Sequence, residues 1–356
     1  MKVKRERKIN NKTIFIIIGV LILLVGGIVT FALLNSKKDN NDSNTIDEEM
    51  KEEEIIPEKK VTIVDTESKT RPYAVMINCH NAALPQAGLD KAYIVYEIMV
   101  EGGITRMMAL FKDVNVDKIG SVRSARTQYL GYVYENDAIY AHAGGAQDAL
   151  NRIANEGIND VDVDGQYGVR DRSLNRAWEH TLFTTTELLK SATDSRGFRK
   201  ETDKGLLLNY SPEELDLSSY ENNKIANSIS INYSDYRTSN YTYDTESRTY
   251  LRSMNDTPNN DLVTGQQYIV NNILVYGVNY SNYTYSGYSL YQKIDNLGSG
   301  EGYYISNGYA IPITWEKENE KSKTKYKVAS TGKELIVNDG NTYIQIYPAD
   351  RSLIIS

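Results

Sequence analysis

The chain has 356 residues, 40% of them hydrophobic, and a formal net charge of −7 at neutral pH. That length supplies material for more than one globular core. An acidic chain without a basic stripe is a poor partner for nucleic acid, so we expect no nucleic-acid binding. Its single cysteine, Cys79, cannot form an intramolecular disulfide, so the fold must be stable without one.

The N-terminal residues have the pattern of a membrane anchor. Residues 14–34 are apolar and uncharged, and about 21 residues in one helix cross a hydrocarbon core of roughly 30 Å. Residues 1–13 contain six Lys and Arg, which favours a cytoplasmic N-terminus and an extracellular remainder. We therefore predict a single-pass plasma-membrane protein. A cleaved signal peptide is the alternative, although the apolar run is longer than a usual signal core.

Residues 35–64 are mostly polar and charged. Such a segment buries too little apolar surface to offset the entropy of ordering, so we predict a disordered tether. It would hold the folded part away from the lipid surface.

Residues 65–215 alternate between strand-type and helix-type segments. The segments PYAVMIN, AYIVYEIMV and TRMMALFKDV are short apolar runs typical of strands, and AIYAHAGG is a strand that ends in glycines. The segments TQYLGYVYEND and AQDALNRIANEG have helical spacing of their apolar residues. This alternation predicts an α/β domain with a mixed sheet and helices.

Residues 225–356 have a different sequence pattern. Short alternating segments rich in Tyr, Ile and Val are separated by Asn, Gly, Asp and Ser, which predicts an all-β antiparallel domain. Most of the 28 tyrosines lie in or near this region. Cross-strand pairing explains them most simply, and a sugar-stacking face is the functional alternative.

Charged residues interrupt the apolar segments of the α/β region. Glu97 and Glu101 lie at the end of YEIMVEGG, Arg106 opens the next segment, and Arg123 and Arg126 bracket the VRSAR motif. Guanidinium groups near strand ends suit phosphate or carboxylate ligands, so Glu97 and the three arginines are candidate ligand-binding residues. Glu101 is a candidate catalytic acid or base. Internal salt bridges among these residues are the alternative.

Two histidines lie in similar settings. His142 follows a strand and precedes Gly144 and Gly145, the kind of turn at which open α/β sheets place ligands, so it is a candidate catalytic base. His180 lies in EHTLFTT and is a candidate ligand-binding residue. Either histidine could instead be structural. We recognise no metal or cofactor motif, and Cys79 beside His80 is interpreted as a packed thiol, because neighbours on a strand point to opposite faces.

These motifs resemble the YerB-like family of bacterial envelope proteins, whose function is not established. The resemblance covers nearly all of residues 70–350 and is carried by YEIMVEGGITR, KIGSVRSAR, AIYAHAGG, EHTLFTT, TYLRSM, NLGSGEGYYISNG and NTYIQIYP. It implies an α/β N-terminal region followed by a separate C-terminal one, with the charged residues and histidines named above at its motif positions. Leu84 stands where the family pattern has an arginine. The predicted anchor is a helix where some relatives use a lipid.

A fainter similarity is to the LytR-CpsA-Psr transferases, which move glycan polymers from a polyprenyl pyrophosphate carrier to peptidoglycan. The order of TRMMALF, VRSAR and the AHAGG turn is similar to their strand, arginine motif and helix. The aspartate that follows their arginine is missing here. The similarity is therefore an analogy of order rather than of chemistry.

Three functional hypotheses follow. The first is a membrane-anchored extracytoplasmic envelope protein of Gram-positive type that binds an anionic cell-wall ligand or precursor. The second is an enzyme acting on a cell-wall glycan or on its polyprenyl-linked form, with Glu101 or His142 as acid or base. The third is a scaffold that docks cell-wall synthesis proteins through its tyrosine-rich part.

The predicted topology can be tested on intact cells stripped of their wall. Because the positive charges precede the apolar run, added protease should remove everything after about residue 35 and spare the N-terminal tail. Immunoblotting with tags at both ends measures this. Protection of the C-terminal tag would contradict the predicted orientation.

Overall fold

The computed structural model describes residues 59–356. The predicted tail, membrane helix and most of the tether lie outside the described residues. Within 59–356, no helix is both long and apolar enough to cross a membrane. Residues 61–64 belong to the folded unit, since Val64 is buried and the backbone N–H of Ile63 donates to Asp339 at 3.0 Å.

The N-terminal part of the described chain mixes strands with helices. Its strands are β1 (Tyr73–Asn78), β2 (Ile94–Met99), β3 (Thr105–Phe111), β4 (Ile119–Gly120), β5 (Ile139–His142), β6 (Asp160–Asp162), β7 (Val169–Arg170), β8 (Leu182–Thr184) and β9 (Asn209–Ser211). Its α-helices are α1 (Thr127–Glu135), α2 (Gln147–Glu156) and α3 (Thr186–Ser195).

The C-terminal part is formed almost entirely of strands. They are β10 (Lys224–Ile225), β11 (Ser228–Ser234), β12 (Arg237–Asp244), β13 (Thr249–Met254), β14 (Thr257–Pro258), β15 (Ile269–Val270), β16 (Asn272–Val278), β17 (Tyr280–Tyr285), β18 (Tyr288–Ile294), β19 (Gly298–Ser306), β20 (Tyr309–Lys317), β21 (Lys325–Val328), β22 (Ile336–Asn338), β23 (Thr342–Pro348) and β24 (Leu353–Ile355). The predicted fold class is confirmed: a mixed sheet with helices comes first, and mostly antiparallel strands follow.

An eleven-stranded sheet runs through both parts of the chain. Its order is β10-β20-β19-β16-β23-β2-β3-β1-β5-β6, with β21 paired to β20. Strand β23 lies between β2 and β16 and is parallel to both. The two sequence regions therefore share one hydrogen-bonded sheet.

The central strands are apolar on both faces because both faces of the sheet are covered. In β1, Ala74 and Met76 pack into one cluster with residues of α1 and α2. The alternate residues Val75 and Ile77 pack into a second cluster with β11, β12 and β13. Those three strands belong to a separate six-stranded sheet, ordered β14-β13-β12-β11-β24 with β15 paired to β13. The architecture has three layers, formed by the helices α1 and α2, the central sheet and the second sheet, and α3 packs on the face that the second sheet covers.

A buried ion pair connects the central sheet to the second sheet. Glu97 of β2 and Arg252 of β13 have fully buried side chains, and Arg252 Nη2 lies 2.9 Å from Glu97 Oε2. The other carboxylate oxygen accepts hydrogen bonds from Thr105 Oγ1 at 2.7 Å and from Ser239 Oγ at 3.0 Å. The carboxylate is thus fully hydrogen-bonded, as a buried charge must be.

Replacing Arg252 with Met should lower the free energy of unfolding by about 3–5 kcal/mol, because Glu97 would remain as a buried charge without its partner. Chemical denaturation measures this. Arg248→Met is the matched control, since Arg248 is an exposed arginine of the adjacent turn that pairs with Glu214. That variant should lose less than about 1 kcal/mol. Equal effects of the two substitutions would show that the buried pair has no special role.

Candidate functional site

Most of the predicted site residues meet at one edge of the central sheet. Strands β1, β5 and β6 are parallel, so their carboxyl ends, at Asn78, His142 and Asp162, lie along the same edge. The antiparallel strand β3 begins there, with Arg106 opposite Asn78. Loops beyond the carboxyl ends of strands are the usual ligand sites of such sheets.

The VRSAR loop crosses this edge in an extended conformation. The backbone N–H of Arg123 donates to Met76 O at 2.9 Å, and Arg123 O accepts from Ala143 N at 3.0 Å. The N–H of Ala125 donates to Gly144 O at 2.9 Å. These bonds hold the loop between the strands β1 and β5, and so determine where its two arginines lie. We call Glu101, Arg106, Arg123, Arg126, His80 and His180 the arginine face.

Arg106 is a largely buried cation without a carboxylate partner. Its residue is 7% exposed, and its Nη1 donates to the backbone O of Ser124 at 2.5 Å. Among the described residues it forms no ion pair. Burial, followed by the charge of Arg126, lowers the pKa of Arg106 well below its usual range, and Glu101 only partly offsets this. An anion at this position would relieve that unfavourable charge.

Arg126 is paired within the protein. Its Nε lies 2.9 Å and 2.8 Å from the two carboxylate oxygens of Glu101, and its Nη1 donates to Ala125 O at 2.8 Å. Glu101 lies in a short 3-10 turn between β2 and β3, where Gly102 and Gly103 both have positive φ. The glycines let this turn bring the Glu101 carboxylate back to the VRSAR loop.

Arg123 is the least engaged of the three arginines. In the described chain its side chain makes one hydrogen bond, from Nη1 to the backbone O of Glu179 at 3.4 Å. Burial lowers its pKa, the carboxylate of Glu179 opposes this, and Arg126 adds to it. Because a guanidinium has five N–H donors, most of its donor capacity is free for a ligand.

A chain of buried amides extends from Arg252 to this face. Arg252 Nη1 donates to Asn259 Oδ1, and Asn259 Nδ2 donates to Gln86 Oε1 at 2.7 Å. Gln86 Nε2 then donates to the backbone O of Asn78 at 3.0 Å. Since Arg252 can only donate, the orientation of each following amide is determined. The end of β1 is thereby tied to the second sheet.

Asn78 in turn determines the tautomer of His180. Asn78 Oδ1 accepts from the backbone N–H of His80 at 3.0 Å, so its Nδ2 group faces His180 Nδ1, at 2.9 Å. His180 Nδ1 must be the acceptor and Nε2 must carry the proton. Burial, and then the charge of Arg123, lowers the pKa of His180. His180 is therefore a neutral hydrogen-bond donor.

His80 adds a second imidazole ring, whose Nδ1 also accepts a hydrogen bond. It stacks on His180 with ring centroids 5.1 Å apart, and its Nδ1 accepts from the backbone N–H of Ala82 at 3.1 Å. Its Nε2 is left as the donor. The arginine face therefore presents guanidinium and imidazole N–H groups. In the described chain, Glu101 is the only carboxylate within ion-pair distance of one of its arginines.

His142 has both ring nitrogens engaged by the protein. Nδ1 lies 2.9 Å from Gly144 O, and Nε2 lies 3.1 Å from Asp160 Oδ2. The residue is 1% exposed. In this arrangement neither nitrogen is free to accept a proton from a substrate, and the ring positions the glycine turn that contacts the VRSAR loop.

Glu97 does not lie on the arginine face. It points to the opposite side of β2, where the second sheet covers it completely. As a fully buried partner of Arg252 it has a structural position rather than one that can reach a ligand. Its partners Ser239 and Arg252 come more than 140 residues later in the chain. No local pattern around Glu97 could reveal them.

Cys79 is buried, and burial raises the pKa of its thiol to about 12. It is thus a poor nucleophile at neutral pH. His80 is exposed and its ring stacks on His180 instead of contacting the thiol. In the described chain no three His, Cys, Asp or Glu side chains are grouped closely enough to hold a metal ion.

Sequence reasoning missed the amides that organise the face, namely Asn78, Gln86 and Asn259. One signal was available: Asn78 ends an apolar strand, where a polar side chain needs a partner. Gln86 and Asn259 are also buried but lie in loops, where polar residues are ordinary.

Family comparison identifies the class of protein that this fold and site represent. Residues 61–199 match the N-terminal domain, and residues 229–344 the C-terminal domain, of the DUF3048 family, described as a protein family of unknown function. These matches cover most of the chain, which belongs to the DUF3048 family.

The resemblance to YerB-like proteins is confirmed. The chain is 29% identical over 298 residues to "Putative lipoprotein YerB" of Bacillus subtilis (strain 168), covering 81% of this chain and 85% of the relative. The crystal structure of YerB from Bacillus subtilis has a TM-score of 0.68 and 25% sequence identity, and the match covers 81% of this chain and 94% of that one. The description of this relative as a lipoprotein implies attachment to the membrane of the cell envelope.

The neutral state of His180 can be tested by NMR titration of the three histidines, with His180→Gln to assign the signals. Its pKa should lie below 6.5, and the nitrogen shifts should show the Nε2–H tautomer. Because the folded pKa is below the unfolded one, the stabilisation is complete above about pH 6.5 and is lost as the pH falls. A pKa above 6.5 would contradict the donor arrangement.

Proposed function

We propose that this chain is a membrane-anchored extracytoplasmic protein whose arginine face binds an anionic group of a cell-wall ligand or precursor. The observation that carries the proposal is the imbalance of charge on that face. The positive charge of Arg126 lowers the pKa of both Arg106 and Arg123, so the three guanidinium groups lie close together. Only Arg126 is paired with a carboxylate. Buried or half-buried cations without partners are costly unless a ligand neutralises them.

The donor geometry supports a phosphate or pyrophosphate group. Planar guanidinium forks bind such oxygens in pairs, and neutral imidazole N–H groups add uncharged donors. His180 provides such a donor next to Arg123, and the ring of His80 stacks on it. A ligand with several oxygens in different directions would use more of the face than a single carboxylate does.

Binding is favoured over acid–base catalysis because the two candidate catalytic groups are occupied. Glu101 bonds to Arg126 through both oxygens, and His142 contacts acceptors through both nitrogens. A general acid or base must reach the reacting atom of the substrate. We therefore assign Glu101 and His142 the role of positioning the VRSAR loop.

Arg123→Lys should weaken binding of inorganic pyrophosphate by about 1–3 kcal/mol, because lysine keeps the charge but loses the planar fork. Its melting temperature should not change, since Arg123 makes a single weak contact within the described chain. Isothermal titration calorimetry measures the affinity. Pyrophosphate should also raise the pKa of His180 in the wild type by placing negative charge beside it.

Arg248→Lys is the matched control, because Arg248 is an exposed arginine that pairs with Glu214, which is not a residue of this face. It should bind pyrophosphate like the wild type. Wild-type affinity in Arg123→Lys, or the absence of pyrophosphate binding in the unmodified chain, would overturn the proposal. Unfolding of Arg123→Lys would instead identify Arg123 as structural.

A further inference from the structure

A cavity of about 880 Å³ lies between the helices α1 and α2 and the hairpin formed by β17 and β18. Its lining includes Gln128 of α1, Asp148 and Asn151 of α2, and Tyr283 and Tyr285 of β17. Volumes of this order are typical of small-ligand sites. Nothing in the relatives' descriptions assigns a role to it.

Two side chains that line the cavity have polar atoms without a partner in the described chain. Gln128 and Asp148 are each 6% exposed, and neither Gln128 Nε2 nor Asp148 Oδ1 forms a hydrogen bond. Unsatisfied buried polar groups are rare because each one costs free energy. Gln128 Nε2 is a hydrogen-bond donor, and Asp148 Oδ1 is an acceptor.

The tyrosines of the cavity are fixed by hydrogen bonds through their hydroxyl groups. Tyr283 OH donates to Asp148 Oδ2 and lies 3.2 Å from Thr127 Oγ1. Tyr285 OH accepts from Asn151 Nδ2 at 2.7 Å. With the hydroxyl groups bound, the rings are held as rigid walls that can pack against the C–H face of a ligand.

The charges that line the cavity nearly balance: Lys293 and Asp295 are exposed and opposite in sign, and neither forms an ion pair in the described chain. Arg152 forms ion pairs with Glu156 and with Glu320, at 2.7 Å and 2.8 Å. The free oxygen of Asp148 would repel an anion. The cavity is thus suited to an uncharged, polar ligand, in contrast to the arginine face.

We propose that this cavity is a binding site for a neutral saccharide unit. A sugar hydroxyl both donates and accepts, so the hydroxyls of a saccharide can bond to Asp148 Oδ1 and to Gln128 Nε2. The glutamine amide turns about a soft terminal torsion, which lets its N–H reach the ligand. The tyrosine rings supply the stacking surface that sugars use. Thr127 directly follows Arg126, so the cavity adjoins the arginine face.

The test uses the full chain in lipid nanodiscs, which contain no sugar-based detergent. Cellobiose and N,N′-diacetylchitobiose are the probes, and saturation-transfer NMR detects weak binding through the ligand signals. The wild type should bind at least one of them. Gln128→Leu should weaken that binding about tenfold or more, with a melting temperature unchanged or raised because an unsatisfied donor is removed.

Gln166→Leu makes the same chemical change at an exposed glutamine outside the cavity and should bind like the wild type. Inorganic pyrophosphate should bind Gln128→Leu normally, so failure of this site is distinguishable from failure of the arginine face. If Gln128→Leu does not fold, Tyr285→Ala is the cavity variant for the same binding measurement, since it removes one of the aromatic rings that line the cavity. Absence of saccharide binding in the wild type, or full binding by the folded cavity variant, overturns the proposal.

Discussion

The buried ion pair between Glu97 and Arg252 is the constraint on which the rest of the structure depends. It connects the central sheet to the second sheet inside a region closed to water, where neither charge is tolerable alone. Arg252 also begins the chain of amides that ends at Asn78. The position of Asn78, which ends β1 and orients His180 on the arginine face, therefore depends on a core interaction.

This arrangement makes the arginine face a preorganised surface. The VRSAR loop is held by backbone hydrogen bonds between neighbouring strands, and His180 is oriented by an asparagine whose own orientation is determined. A site held in this way pays little entropy to order its side chains when a ligand binds. Burying the unpaired charges of Arg106 and Arg123 costs free energy. In the free protein, the folding free energy of the surrounding structure offsets that cost.

Two buried carboxylates of the core are paired with cations. Glu97 pairs with Arg252 at 2.9 Å, and Glu135 accepts from Lys317 at 2.7 Å. At the arginine face and in the adjoining cavity, donors and acceptors are left without partners. A ligand could bind to these free groups, and the two proposed sites differ in charge as the two parts of a phosphorylated glycan would.

The sequence by itself determined the fold class, the family and the arginine motifs, because each depends on residues that are neighbours in the chain. The apolar runs predicted β1, β2, β3 and β5, and helical spacing predicted α1 and α2. Only the tertiary structure decided that Glu97 is internal, that His142 is engaged on both nitrogens, and that β23 joins the N-terminal strands. Those outcomes depend on partners distant in sequence, such as Arg252 and Asp160, and a local pattern carries no information about which distant side chain will lie opposite.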